Sequence, residues 1–226
     1  MTKDEKRCVM RYKGVIFDLD GTLVNSLEDI ADSMNTVLKR YGFPAHDVDA
    51  YKAFVGHGMT QLVMRALPED ARDEARIALC RDALLAQYGE NYLRKTRPYD
   101  GIFDLLTELS RMNIKLAVFS NKVDHFTKKM IAELFPAHRF SVVLGSGPLL
   151  PEKPDPKGVL LISSDLEVPP GNLIYVGDSD VDMQTARKAG MSSAGALWGF
   201  RTKEELLANG AEFLLSHPLD LLPIVR

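Results

Sequence analysis

The stretch Val15-Ile16-Phe17-Asp18-Leu19-Asp20-Gly21-Thr22 decides how the rest of the chain is read. Val15, Ile16 and Phe17 form a short apolar run of β-forming residues, the signature of a buried strand. The run stops at two carboxylates spaced i, i+2, and Gly21 follows at once with the backbone freedom a tight turn needs. In an open parallel sheet, ligands sit beyond the carboxyl ends of the strands, so Asp18 and Asp20 stand where chemistry takes place. A strand ending in a polar turn is the plainer reading, because aspartates also cap and form turns.

Outward from this stretch the pattern divides. From about Leu23 to Arg97 the apolar spacing is helical, with no convincing strand. Leu27, Ile30, Met34, Val37, Leu38 and Tyr41 mark the first helix, with Asn25 or Ser26 able to cap it. From Pro98 onward strand and helix alternate to the end, with strands predicted near Lys115–Phe119, Val142–Leu144, Leu173–Val176, Ser193–Leu197 and Glu212–Leu215. The first strand belongs with these. The expectation is an α/β fold, a doubly wound parallel (Rossmann-like) sheet covered by helices on both faces. Residues 1–22 and 98–226 form this core, and about 75 residues, 23–97, are an inserted all-helical cap domain.

Composition narrows the class of protein. The 226 residues, 46% hydrophobic and 26% charged, suit one good-sized domain carrying a sub-domain. A formal charge of −3 lacks the basic footprint of a nucleic-acid binder. No apolar run is long enough to span a membrane, and Met1 to Tyr12 lack the apolar core of a signal peptide. Cys8 and Cys80 make neither a disulfide framework nor a zinc pattern, and Cys80 reads as a small buried hydrophobe. A reducing, cytoplasmic compartment fits.

Four polar clusters fall at strand ends or loops: Asp18 with Asp20, Ser120, Lys153, and Asp178 with Asp180 and Asp182. Strands of one parallel sheet point the same way, so these clusters should meet at one edge. Crowded carboxylates repel; two like charges about 4 Å apart cost about 4 kcal/mol at an effective dielectric of 20. They call for a cation, and a set of oxygen ligands suits Mg²⁺ beside a substrate phosphate.

Taken together, the motifs resemble the haloacid dehalogenase superfamily, and within it phosphatases of the phosphoglycolate phosphatase type. They are Asp18-Leu19-Asp20-Gly21-Thr22-Leu23-Val24-Asn25-Ser26, Ser120-Asn121-Lys122, Lys153-Pro154-Asp155-Pro156, and Gly177-Asp178-Ser179-Asp180-Val181-Asp182 running on to Ala189-Gly190. The resemblance covers nearly the whole chain and implies a mechanism. Asp18 attacks phosphorus and becomes an aspartyl phosphate. Asp20 protonates the leaving alkoxide and then activates water. Ser120 and the Asn121 N–H hold phosphoryl oxygens, and Lys153 offsets their charge. The implied Mg²⁺ ligands are Asp18, Asp20 through its backbone carbonyl, Asp178, and Asp182 through water. Gly21, Thr22, Asn121 and His57 are the implied substrate-binding positions. His57, between two glycines, is read either as a structural turn or as a cap residue facing the site. Asp180 is either a solvated first-turn carboxylate or functional. Lys52, Arg65 and Lys122 are lesser candidates for the substrate's acidic end, and Trp198 reads as packing.

The expected partner is a small phosphorylated metabolite, with phosphoglycolate first to test, and the chain a monomer or homodimer. A β-phosphoglucomutase-like phosphomutase and a pyrophosphatase share the motifs. A catalytically silent binding protein is the reading from another class, and the intact nucleophile, acid, hydroxyl and lysine argue against it.

Overall fold

The computed structural model describes residues 11–226, so Cys8 and all but the last two residues of the leading Met1–Tyr12 segment lie outside the described residues. Strand β1, Gly14–Phe17, is buried along its whole length. Its side chains alternate between two layers. Val15 and Phe17 face one apolar cluster, Ile16 the other. A strand covered on both faces carries apolar residues at every position, which is why the stretch before Asp18 shows no polar alternation.

After the Asp18–Leu23 turn comes β2, Val24–Asn25, and then the helical insertion: α1 (Leu27–Arg40), α2 (Tyr51–Phe54), α3 (Gly58–Ala66) and α4 (Glu74–Asn91). Met34, Val37, Leu38, Tyr51, Val63 and Leu84 build a separate apolar cluster there, joined by Phe126 from the core. Cys80 lies in the same cluster, 1% exposed. The chain returns through β3, Arg97–Pro98, which pairs antiparallel with β2. The insertion is therefore not helical throughout: a two-stranded ribbon forms its neck. Two-residue strands are too short to leave a period-2 signature, and each finds its partner at the far end of the insertion.

The core continues with α5 (Ile102–Arg111), β4 (Lys115–Val123), α6 (Asp124–Leu134), β5 (Val142–Ser146), α7 (Lys157–Asp165), β6 (Leu173–Gly177), α8 (Asp180–Ala189), β7 (Ser192–Ala196), α9 (Lys203–Ala208), β8 (Phe213–Leu215) and α10 (Leu222–Val225). Six strands form one parallel sheet in the order β5-β4-β1-β6-β7-β8. α5 buries Ile102, Leu105, Leu106 and Leu109, one stripe at i, i+3, i+4, i+7. None of the helices among the described residues is long and apolar enough to cross a membrane.

β4 runs four residues beyond the predicted Phe119 end. Its register with β5 shifts between Phe119 and Val123. Such an irregularity re-aims side chains out of strict alternation. Here Ser120, Asn121 and Lys122 are all buried, three consecutive polar residues held at the sheet edge.

Asp29 on α1 fastens the neck. Its carboxylate, 2% exposed, accepts hydrogen bonds from the Lys95 N–H, the Thr96 N–H and the Thr96 hydroxyl at 2.7–3.0 Å. Removing the acceptor leaves buried donors unsatisfied, so Asp29→Ala is expected to cost about 3 kcal/mol. Urea unfolding followed by the fluorescence of Trp198, the single tryptophan, measures it. An unmoved midpoint would remove Asp29 from this role.

Candidate active site

The carboxyl ends of β1, β4 and β6 bring the polar clusters together, as the parallel topology requires. Carboxylate oxygens of Asp18, Asp178 and Asp182 lie within 4.8 Å of one another, and all three residues are buried. Lys153 reaches into this group. Its Nζ lies 2.9 Å from Asp18 Oδ1, donates to Asp182 Oδ1 at 2.6 Å and to the Tyr175 hydroxyl at 3.2 Å. Tyr175 in turn donates to the Phe119 carbonyl at 2.7 Å, which fixes the lysine's landing place.

Asp178 is held on both oxygens. The Thr22 hydroxyl donates to Oδ1 at 2.9 Å and the Phe200 N–H to Oδ2 at 2.8 Å. Two glycines make room for it. Gly21 sits at φ 85°, and a Cβ there would stand 2.2 Å from Asp178 Oδ2. A Cβ on Gly199 would stand 2.2 Å from the Asp178 Cβ. The turn after Asp20 thus needs glycine both for its left-handed backbone and for the carboxylate beside it.

Asp20 lies at the cavity wall. The Ser26 hydroxyl donates to its Oδ1 at 2.5 Å, and Lys122 Nζ donates to both oxygens at 3.0 Å. Lys122 is buried, its ammonium 4.5 Å from the centroid of the Tyr88 ring on α4. The Tyr88 hydroxyl is buried without a hydrogen-bond partner, and burial pushes its pKa up to about 12, leaving a neutral O–H. The cavity above Asp18 and Asp20, about 50 Å³, is floored by Ser120, Asn121 and Lys122. Its far wall comes from the insertion: Ile30, Val55, Met59, Leu62, Leu84 and Tyr88.

Several expected substrate contacts are occupied elsewhere. The Gly21 N–H donates to the Val24 carbonyl and the Thr22 N–H to that of Leu19, and the Thr22 hydroxyl is the one on Asp178. Neither residue lines the cavity. Asn121 does line the cavity, and it is its side-chain amide, not the N–H expected at the phosphoryl oxygens, that is committed elsewhere: it donates to the Lys153 and Gly56 carbonyls and accepts from the Lys153 N–H, tying the Lys153 loop to the insertion. His57 stays out of the cavity. Its Nε2 faces Asp180 Oδ1 at 3.4 Å, so Asp180 is neither free nor a member of the acidic group. The imidazole beside it holds the Asp180 carboxyl below the usual carboxylate range. Asp182 accepts from Lys153 on Oδ1 and from the Ser179 N–H and hydroxyl on Oδ2, and its carboxylate shares the acidic group with Asp18 and Asp178. Lys52 pairs with Asp49, and Arg65 donates to the Ala53 carbonyl, both away from the site. Ser120 caps nothing: α6 begins at Asp124 with no side-chain cap.

Other contributors left only faint traces in the sequence. Ser26 reads as a helix cap, yet its hydroxyl serves Asp20 while Asn25 Oδ1 accepts from the Leu27 N–H. Tyr175 reads as one more strand aromatic. Arg201 donates to the Lys52 and Val55 carbonyls, pinning α2 to the core loop after β7. Trp198, besides packing, donates its indole N–H to the Thr22 carbonyl.

The donor set fits a divalent cation. Burial pushes Asp18 up to about 7, against the pull of Lys153 and with further push from Asp182. Burial and repulsion from Asp182 and Asp18 push Asp178 to about 8. Asp18 Oδ1 is buried with no aligned hydrogen bond, Lys153 being near it without good geometry. These are hard oxygen donors in a tight group, the kind Mg²⁺ takes alongside a substrate oxygen. Asp18 and Asp178 would supply carboxylate oxygens.

Residues 15–196 match the family described as haloacid dehalogenase-like hydrolase. The chain belongs to that family. A phosphoglycolate phosphatase of Aquifex aeolicus is 32% identical over 211 residues, covering 93% of this chain and 95% of its own. An N-acetylmuramic acid 6-phosphate phosphatase of Pseudomonas aeruginosa is 29% identical over 217 residues, with 96% of each chain covered. The crystal structure of a predicted phosphoglycolate phosphatase from Haemophilus somnus superposes with a TM-score of 0.89 at 28% identity, covering 96% of this chain and all of that one.

The raised carboxyl groups tie stability to pH. An aspartate that ionises near 3.9 when unfolded but near 7 or 8 when folded leaves the folded protein holding more protons between those values. The metal-free protein should therefore lose stability as pH rises from about 4 to about 8. Added Mg²⁺ should raise the melting temperature more at pH 8 than at pH 5. Thermal melts with EDTA and with Mg²⁺ at both pH values check this, and equal Mg²⁺ effects would count against the cation site.

Proposed function

We propose that the protein is a Mg²⁺-dependent phosphomonoesterase for a small phosphorylated metabolite of the phosphoglycolate type, working through an aspartyl phosphate on Asp18. The observation that carries this reading is the meeting of Asp18, Asp20, Lys153 and Asp178 at one edge of the sheet beneath a closed helical insertion.

Asp18 is the nucleophile. Its buried carboxylate attacks phosphorus, the P–O bond to the leaving group breaks, and the phosphoryl group rests on Asp18. Asp20, two residues on, gives the leaving oxygen a proton and later accepts one from the hydrolytic water. Ser120 meets a phosphoryl oxygen. Lys153, fixed by Tyr175 and Asp182, offsets negative charge between nucleophile and phosphate. A bound Mg²⁺, held by Asp18 and Asp178, supplies the positive charge that lets a carboxylate approach a phosphate dianion. The presence of Asp20 favours phosphoryl transfer over dehalogenation, in which halide departs without an acid.

The insertion acts as a cap. Arg201 on the Lys52 and Val55 carbonyls, Asn121 on Gly56 and His57 beside Asp180 hold it against the core. The upper wall of the cavity is hydrocarbon apart from the Tyr88 hydroxyl. Sugar hydroxyl groups would find few partners there, which favours a compact leaving group over a hexose. Phosphomutase and pyrophosphatase chemistry are the alternatives on the same site.

Phosphate release across a panel of phosphorylated metabolites tests the reading, with phosphoglycolate expected among the best and glucose 1-phosphate giving no glucose 6-phosphate. Asp18→Asn should lower turnover by at least about 10³-fold while the fold persists by circular dichroism. Substantial residual activity would remove Asp18 as nucleophile. Fluoroberyllate with Mg²⁺ should inhibit by occupying the phosphoryl position on Asp18.

A further inference from the structure

Resting on the phosphomonoesterase reading above, we infer that Lys122 and Tyr88 form a subsite that reads a carboxylate carried on the ester carbon of the leaving group. Lys122 is the cation among the residues lining the cavity; Lys52 and Arg65, the basic residues nearest in the chain on the cap side, are turned outward and committed elsewhere. Its ammonium is 4% exposed at the side chain and spends two of its three donors on Asp20. The Tyr88 hydroxyl, 1% exposed at the residue, lines the same cavity and has no acceptor. A buried O–H without a partner is costly, and a ligand that brings an acceptor recovers the loss.

The two donors belong to opposite sides of the cavity. Lys122 comes from the irregular end of β4 in the core, Tyr88 from α4 in the cap, and the ammonium lies over the tyrosine ring. A ligand touching both spans the closure seam. Position along the reaction axis follows from connectivity. Asp20 serves the ester oxygen, Lys122 is one hydrogen bond from Asp20, and a carboxylate on the ester carbon is two covalent bonds from that oxygen. Its oxygens then fall between an N–H of Lys122 and the O–H of Tyr88, a charge-assisted pair of hydrogen bonds. The remaining wall, Ile30, Met59, Leu62 and Leu84, offers hydrocarbon to the CH₂ of such an acid and nothing to further polar groups. An uncharged leaving group leaves the Tyr88 hydroxyl without an acceptor.

The test compares kcat/KM for phosphoglycolate and for ethyl phosphate, where a methyl group replaces the carboxylate, in the Mg²⁺-loaded protein. The wild type should prefer phosphoglycolate by about a hundredfold. Tyr88→Phe keeps the Lys122–Asp20 pair and should lower that preference about tenfold, mainly through KM for phosphoglycolate. Lys122→Met slows both esters through Asp20, but the preference itself should fall by a further tenfold or more, to about parity. Tyr88→Phe carries the test if Lys122→Met fails to fold. Equal handling of both esters by the wild type, or an unchanged ratio in the folded variants, overturns the subsite and leaves the phosphatase reading standing. Failure to release phosphate from any ester in the panel overturns that reading and the subsite with it.

Discussion

Carboxylates repel, and the fold spends much of its construction on forcing three of them together out of water. The Asp18, Asp178 and Asp182 oxygens sit within 4.8 Å of one another, buried. Parallel pairing of β1 with β6 delivers the first two to the same edge. A lysine fixed by a tyrosine, a threonine hydroxyl, a backbone N–H and two glycines then hold them there. Burial raises the pKa of Asp18 to about 7 and of Asp178 to about 8, so both resist ionising in place near neutral pH. Crowded carboxyl groups of this kind favour a cation beside them.

Much of this was legible before any coordinates. The apolar run ending at Asp18 reads as a central strand because a strand covered on both faces cannot alternate. Strand–helix alternation after Pro98 implies a parallel sheet, and a parallel sheet gathers strand ends at one edge. Asp18, Asp20, Ser120 and Asp178 could thus be placed together by topology, whereas Lys153, in a Pro-rich loop, closes no strand.

What escaped the sequence was direction and pairing. Ser26 looks like a cap, but capping and holding Asp20 demand the same residue type, and only the turn geometry chooses between them. Thr22 faces Asp178 and not the cavity because Gly21 at φ 85° swings the next residue under the β6 end. His57 read either as a structural turn or as a cap residue facing the site, and its ring meets Asp180 across the seam. Lys122 ranked among lesser candidates because a lone basic residue is usually solvated, whereas here it is one of three consecutive buried polar residues. The register shift between β4 and β5 that permits them has no local sequence signature. The β2–β3 neck was missed for a related reason: its two halves are distant in the chain and two residues long.

Asn121 joins two parts of the molecule through one amide. The same side chain grips the Lys153 backbone on both its donor and acceptor sides and reaches across to the Gly56 carbonyl. The loop that aims the Lys153 ammonium is therefore tied to the insertion through one side chain. The aim of the Lys153 ammonium and the seating of the insertion over the cavity are in this way geared to a common part.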